Sequence, residues 1–115
     1  MAGEVESNAG RDVFESVVAR MTAEHDGVGP GRMMSCAAVS YKGKVFAFLS
    51  AGGEMVFRLG KEFDAEAAEL VDWSYLSPFK TKPPMRGWIC VSTAQLERWS
   101  GLAEEALAIM RSKIE

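Results

Sequence analysis

Few residues in this chain have a type and spacing that could do chemistry. A catalytic or metal site would have to draw on the single histidine, His25, the two cysteines, Cys36 and Cys90, or the acids Glu62, Asp64, Glu66, Glu69 and Asp72. His25 closes a helical stretch, where the helix carbonyls favour a partial positive charge and a solvent-exposed ring is expected. Neither cysteine belongs to a CxxC pair, and a four-ligand zinc site would need carboxylates to complete it. Both thiols are expected as small buried residues on strands. The acids fall on several faces of one short helix, with no apolar pocket implied to raise a pKa, so they read as a solvated face. Gly27-Val28-Gly29-Pro30-Gly31 has a phosphate-loop composition, but Arg32 stands where a third glycine is needed and no GK[ST] follows. That loop also comes after a helix and before a strand, and Pro30 has no amide to donate, so it reads as a helix stop. No catalytic residue, metal ligand or cofactor is expected.

The basic residues are the one set that points to a binding role. Residues 1–31 hold six acids against two bases, whereas residues 32–61 hold Arg32, Lys42, Lys44, Arg58 and Lys61 against Glu54 alone. Residues 62–79 are again acidic, and Lys80, Lys82 and Arg86 follow on a proline-rich stretch. Lys42 and Lys44 flank a turn, and Trp88 lies beyond the second basic group, so Lys42, Lys44, Lys80, Lys82, Arg86 and Trp88 form the expected contact surface. A basic turn beside a basic loop is a plausible wing for nucleic acid. Lysines at turns and strand ends also protect sheet edges and keep a chain soluble. Trp73, Tyr75, Phe79 and Trp88 could line a pocket, but aromatics beside prolines are expected to cap a core instead.

These residues need a scaffold, and the sequence outlines one. The chain has 115 residues, 48% hydrophobic and 25% charged, with a net charge of -3. Such totals fit one folded domain and exclude a disordered chain or a general polyanion binder. No apolar run reaches 18 residues, and the acidic, polar N-terminus lacks the pattern of a signal peptide, so no membrane span and a cytoplasmic location are expected. Residues 1–9 lack periodicity and read as a flexible tail before a domain covering 10–115. Val13, Phe14, Val17, Val18 and Met21 mark an amphipathic helix from about Gly10 to Asp26. Arg32 to Gly60 reads as a three-strand meander. Gly43 supplies the positive φ of its first turn, Val45 to Leu49 form a central strand apolar on both faces, and Met55, Phe57 and Leu59 alternate with Glu54, Val56 and Arg58. Asp64 caps a short helix to about Val71, residues 72–84 read as loop, and Arg86 to Val91 as a further strand. Ser92 and Gln95 have the spacing of a capping box. The closing helix carries Leu96, Trp99, Leu102, Ala106, Ile109 and Met110, with Ser100-Gly101 a point where it could break. The class is α+β: an antiparallel sheet, a meander plus at least one further strand, packed by N- and C-terminal helices in the order α-β-β-β-α-β-α.

Tyr41-Lys42-Gly43-Lys44-Val45-Phe46-Ala47, Met55-Val56-Phe57-Arg58-Leu59, Ser77-Pro78-Phe79, Pro84-Met85-Arg86-Gly87-Trp88-Ile89-Cys90-Val91 and Trp99…Leu102-Ala103-Glu104-Glu105-Ala106 occur in an order and spacing that resembles the TfoX N-terminal domain family. The resemblance covers roughly residues 12–112. Met33-Met34-Ser35-Cys36 departs from it, standing where many members carry a Met-Phe-Gly-type motif, so the glycine's permissive backbone is absent. The resemblance implies a compact α/β sandwich and a non-enzymatic interaction or regulatory module, with no catalytic residue to carry over. YjbR-like proteins, which look alike, imply a second reading as a weak nucleic-acid binder. The expected partner is a protein, or a second copy of the chain, through the sheet edge or the aromatic loop.

Overall fold

A computed structural model describes residues 2–33, 36–50, 52–76 and 85–114, with the backbone alone for 2–9, 85, 86 and 114. The chain forms helix α1 (Ala2–Glu24), strands β1 (Val28–Met33), β2 (Cys36–Tyr41), β3 (Lys44–Leu49), β4 (Met55–Arg58), β5 (Trp73–Leu76) and β6 (Met85–Val91), a 3-10 turn at Thr93–Gln95, and helix α2 (Leu96–Ile114). The six strands make one antiparallel sheet in the order β1-β2-β3-β4-β6-β5. The fold is therefore α+β, with a helix before and a helix after the strands.

The β2–β3 turn follows from two residues. Lys42 at φ 50 and Gly43 at φ 84 both occupy the left-handed region that a two-residue hairpin of matching twist requires. Lys42 N donates to Gly27 O at 2.8 Å, tying this turn to the end of α1. Strand β3 is central, as its apolar character demands. Its register with β2 jumps from Val39↔Ala47 to Ser40↔Val45, leaving Phe46 as an extra residue. Such a bulge lets consecutive residues turn to one side, and Phe46 and Ala47 both enter the main core.

That core lies between the helices and one face of the sheet. Phe14, Val17 and Met21 from α1 and Trp99, Leu102, Ala106 and Met110 from α2 meet Val39, Met55, Phe57, Ile89 and Val91. The alternation expected in β4 holds: Met55 and Phe57 join this core while Val56 turns to the opposite face. There a smaller cluster gathers Ala38, Phe48, Val56, Trp88 and Cys90, with the Phe48 and Trp88 rings tilted at 58° and 5.7 Å apart.

Several expectations are corrected. Helix α1 runs from Ala2 to Glu24, where a start near Gly10 and an end at Asp26 are expected. The glycine-rich stop becomes edge strand β1, where Pro30 pairs opposite Val39. An edge strand tolerates a residue with no amide to donate, because only one side needs a partner. The meander consequently has four strands rather than three. The helix expected at 64–71 is a run of turns. Asp64 does cap it, accepting from Glu66 N at 3.0 Å and Ala67 N at 3.1 Å. The chain leaves after about one turn, with Glu69 at φ 63, Glu69 N bonded to Glu66 O and Leu70 N bonded to Ala65 O. That pair of bonds is a Schellman-type stop with glutamate in the place of glycine. Part of the expected loop, Trp73–Leu76, is strand β5. Helix α2 runs unbroken through Ser100-Gly101. Ser92 caps the 3-10 turn through Ala94 N, but Gln95 does not reach back; its Oε1 accepts from Val71 N at 2.9 Å and Asp72 N at 3.5 Å.

Candidate functional site

The strand registers sort the basic residues to one end of the sheet. Tyr41 pairs with Lys44, Leu49 with Met55, and Arg58 with Trp88. The Lys42-Gly43-Lys44 turn, the exit of β4 at Arg58 and the entry of β6 therefore lie at the same end. Helix α2 finishes there as well, with Arg111 and Lys113 in its last turn. The Tyr41 ring, buried in the core, receives the Arg111 guanidinium at 5.6 Å and the Lys42 ammonium at 5.3 Å from its centroid. The Arg111 contact holds the turn against the end of α2.

Beside this corner an open groove of about 1290 Å³ runs between the exit of β4, the turn after it and α2. Its apolar lining comes from Leu59, Phe63, Ala68 and Ile109, and Arg58, Lys61 and Lys113 supply its cations. Two glycines shape the mouth. Gly60, at φ 85, allows Leu59 N and Gly60 N both to donate to Gly87 O, at 3.0 and 3.1 Å. Arg58 leaves β4 on the face opposite the helices and lies with its guanidinium 5.8 Å from the Trp88 ring centroid. Arg58, Lys61 and Lys113 form no ion pair among the described residues. Glu62, Asp64 and Glu105 also line the groove, so its charge is mixed rather than uniformly basic.

Of the expected contact residues, Lys42 and Lys44 are exposed at the turn. Arg86 falls on β6, with its side chain outside the described set, and Lys80 and Lys82 lie outside the described residues. Trp88 is not an exposed contact residue. It is only 8% exposed, packed on Phe48 and overlain by Arg58, so it is a platform beneath a cation. Phe63, Ile109, Arg111 and Lys113 were not legible as members of this corner. The last two have an ordinary explanation in sequence, since cations favour the final turn of a helix.

The other polar cluster joins the helices. Arg20 Nη1 donates to Glu104 Oε2 at 2.7 Å and to Glu24 Oε1 at 2.8 Å, and Arg20 Nη2 donates to Ser100 Oγ at 2.7 Å. His25 Nε2 lies 3.0 Å from Glu104 Oε1, so the ring is half-buried and partnered, where the sequence suggests exposure. Burial pushes the Glu104 carboxyl up, but the Arg20 hydrogen bond and the His25 charge outweigh it and hold the carboxyl below its ordinary range. The Arg20 guanidinium is raised, chiefly by its bond to Glu104. Glu24, His25 and Glu104 bring an imidazole nitrogen and two carboxylates within 4.8 Å of one another, donors that could serve a cation. Arg20 already bonds both carboxylates, and this makes the cluster a helix-to-helix clamp.

Cys36 is half-buried and Cys90 buried, both free. They sit on β2 and β6, with β3 and β4 between them. Three strand spacings separate them by about 14 Å, far beyond the Cα reach of a disulfide. The Cys90 thiol is pushed up by burial first and by Glu54 second, against the hydrogen bond to Ser74. No helix among the described residues is long and apolar enough to cross a membrane. Set against protein-family models, curated proteins and solved structures, the chain finds no match in any of the three.

Proposed function

We propose that the chain is a non-enzymatic interaction module of the kind its resemblance to TfoX N-terminal domains implies, docking a protein partner on the basic end of its sheet. The observation that carries this reading is the convergence of Lys42, Lys44, Arg58, Lys61, Arg111 and Lys113 on one end, beside an open groove with an apolar lining. Charged residues around apolar surface are the ordinary composition of a protein-binding patch, where the rim steers and the centre supplies the energy. A cytoplasmic location belongs to the same reading and suits two free thiols placed too far apart to pair. The test is cross-linking with mass spectrometry in cells, using a photoreactive residue at Lys61 and, separately, at Arg32 on the opposite end. Partner peptides captured from position 61 and not from 32 support docking at this end. Capture from 32 alone, or a purified chain that turns over a metabolite, would overturn it.

A second reading, weak nucleic-acid binding, is favoured by the exposed Lys42-Gly43-Lys44 tip at the same end. It requires anisotropy of a labelled oligonucleotide to rise on titration and to fall steeply with salt. A K42Q/K44Q variant with unchanged affinity would refute it.

A further inference from the structure

We infer that the groove beside α2 receives a second copy of this chain, in a twofold arrangement that sets each copy's α2 into the other's groove. This rests on the protein-docking reading and names the partner.

The charge of the groove selects that occupant. Glu62, Asp64 and Glu105 line it against Arg58, Lys61 and Lys113. A partner of one sign, such as an acidic peptide, a basic peptide or a phosphate backbone, meets as much repulsion there as attraction. The fitting partner carries both signs in exchanged places, and a twofold axis supplies that exchange from the chain itself. The α2 wall has the required spacing. Glu105 and Lys113 each stand four residues from Ile109 and share one side of the helix with it. Charge therefore passes from negative to positive over about 12 Å, around an apolar centre. A half-turn about an axis at Ile109 lays two such helices antiparallel. Glu105 then meets Lys113 of the partner subunit, Lys113 meets Glu105 of the partner subunit, and the two Ile109 side chains meet each other.

Within one copy these charges have no mate. Glu105 and Lys113 are exposed and form no ion pair among the described residues. More than two turns of helix keep them from bonding each other. The opposite wall suits the same arrangement. Lys61 and Glu62 are adjacent and exposed on it, offering a mate of either sign to an incoming helix, and Phe63 adds apolar surface. A groove flanked by its own ridge is self-complementary under a half-turn, because ridge enters groove twice.

The experiment is sedimentation equilibrium of the full chain up to millimolar concentration, on the parent, E105K, K113E and the E105K/K113E exchange. The parent should show a monomer–dimer equilibrium. Each single reversal places like charges opposite each other at both ends of the helix pair, and should weaken dimerisation about tenfold. The exchange restores opposite signs across the axis and should dimerise within about threefold of the parent. An equimolar mixture of the two single variants should form a mixed dimer, since each then meets its opposite. The exposure of both positions leaves the core untouched in every variant. A parent that stays monomeric at millimolar concentration, a dimer indifferent to both reversals, or an exchange as weak as the single variants would each overturn the proposal. If it is overturned while cross-links from position 61 carry peptides of another protein, the docking reading stands with a different partner. If it is overturned and cross-links map to position 32 alone, both fall.

Discussion

Two glycines in the two helices should respond to alanine with opposite signs. In a helix interior, alanine is favoured over glycine by about 1 kcal/mol. At Gly101, exposed on α2, an added Cβ meets nothing within 4 Å, so G101A should gain about 1 kcal/mol. At Gly10, buried on α1, the same Cβ would stand 2.8 Å from the Gly53 carbonyl oxygen and 3.3 Å from Thr93 Cγ2. A backbone oxygen in a turn cannot swing aside as a side chain would, so α1 must shift. Overpacking of this kind costs about 1–3 kcal/mol. Set against the same propensity gain, G10A should lose about 1 kcal/mol net, within a range of about 0 to 2. For a chain of 115 residues, unfolding entropy converts 1 kcal/mol to a Tm change of about 4 °C. Calorimetry and urea unfolding should therefore show G101A rising by about 4 °C and G10A falling by about as much. If G10A stabilises as G101A does, the close approach of α1 to the Gly53 turn is wrong.

The helix clamp gives a pH prediction. The Glu104 carboxyl is held below its ordinary range, so its stabilisation is complete above about pH 4.3 and is lost as pH falls through the folded value. Its side chain is 37% exposed, so E104Q should cost less than about 1 kcal/mol at pH 7 and should flatten the loss of stability below about pH 4. Acid unfolding curves of equal slope in E104Q and the parent would refute this. Gln95, buried at the foot of α2, is the acceptor for Val71 N, so Q95A should cost about 1–3 kcal/mol by urea unfolding. Q95E, which keeps an acceptor, should lose less. Hydrogen exchange at the Val71 amide should speed in Q95A, and unchanged exchange would argue against that bond.

How much was legible follows from the range of the forces involved. The Lys42-Gly43 turn is set by two backbone angles, and the sequence shows it because glycine's freedom at Gly43 is a local property. The stripes of α1 and α2 and the alternation of Met55, Phe57 and Val56 were equally plain, since burial on one face imposes a period. Breaker composition misled at Gly27 to Gly31: glycine and proline argue against a central strand, but β1 is an edge and needs bonds on one side only. Helical propensity misled at 64–71, where Leu70 and its bonds to the earlier turn end the helix after one winding.

The sequence by itself determined the class, the central place of β3 and the separation of acidic from basic stretches, because each depends on neighbours within a few residues. Tertiary structure alone decided what meets what. His25 and Glu104 lie 79 positions apart, Gln95 and Val71 lie 24 apart, and both pairs form only when helices and turns dock. The candidate site is of this second kind. Arg58, Lys61 and Lys113 share a groove because the antiparallel registers and the length of α2 bring distant chain ends to one corner, and no local pattern encodes that meeting.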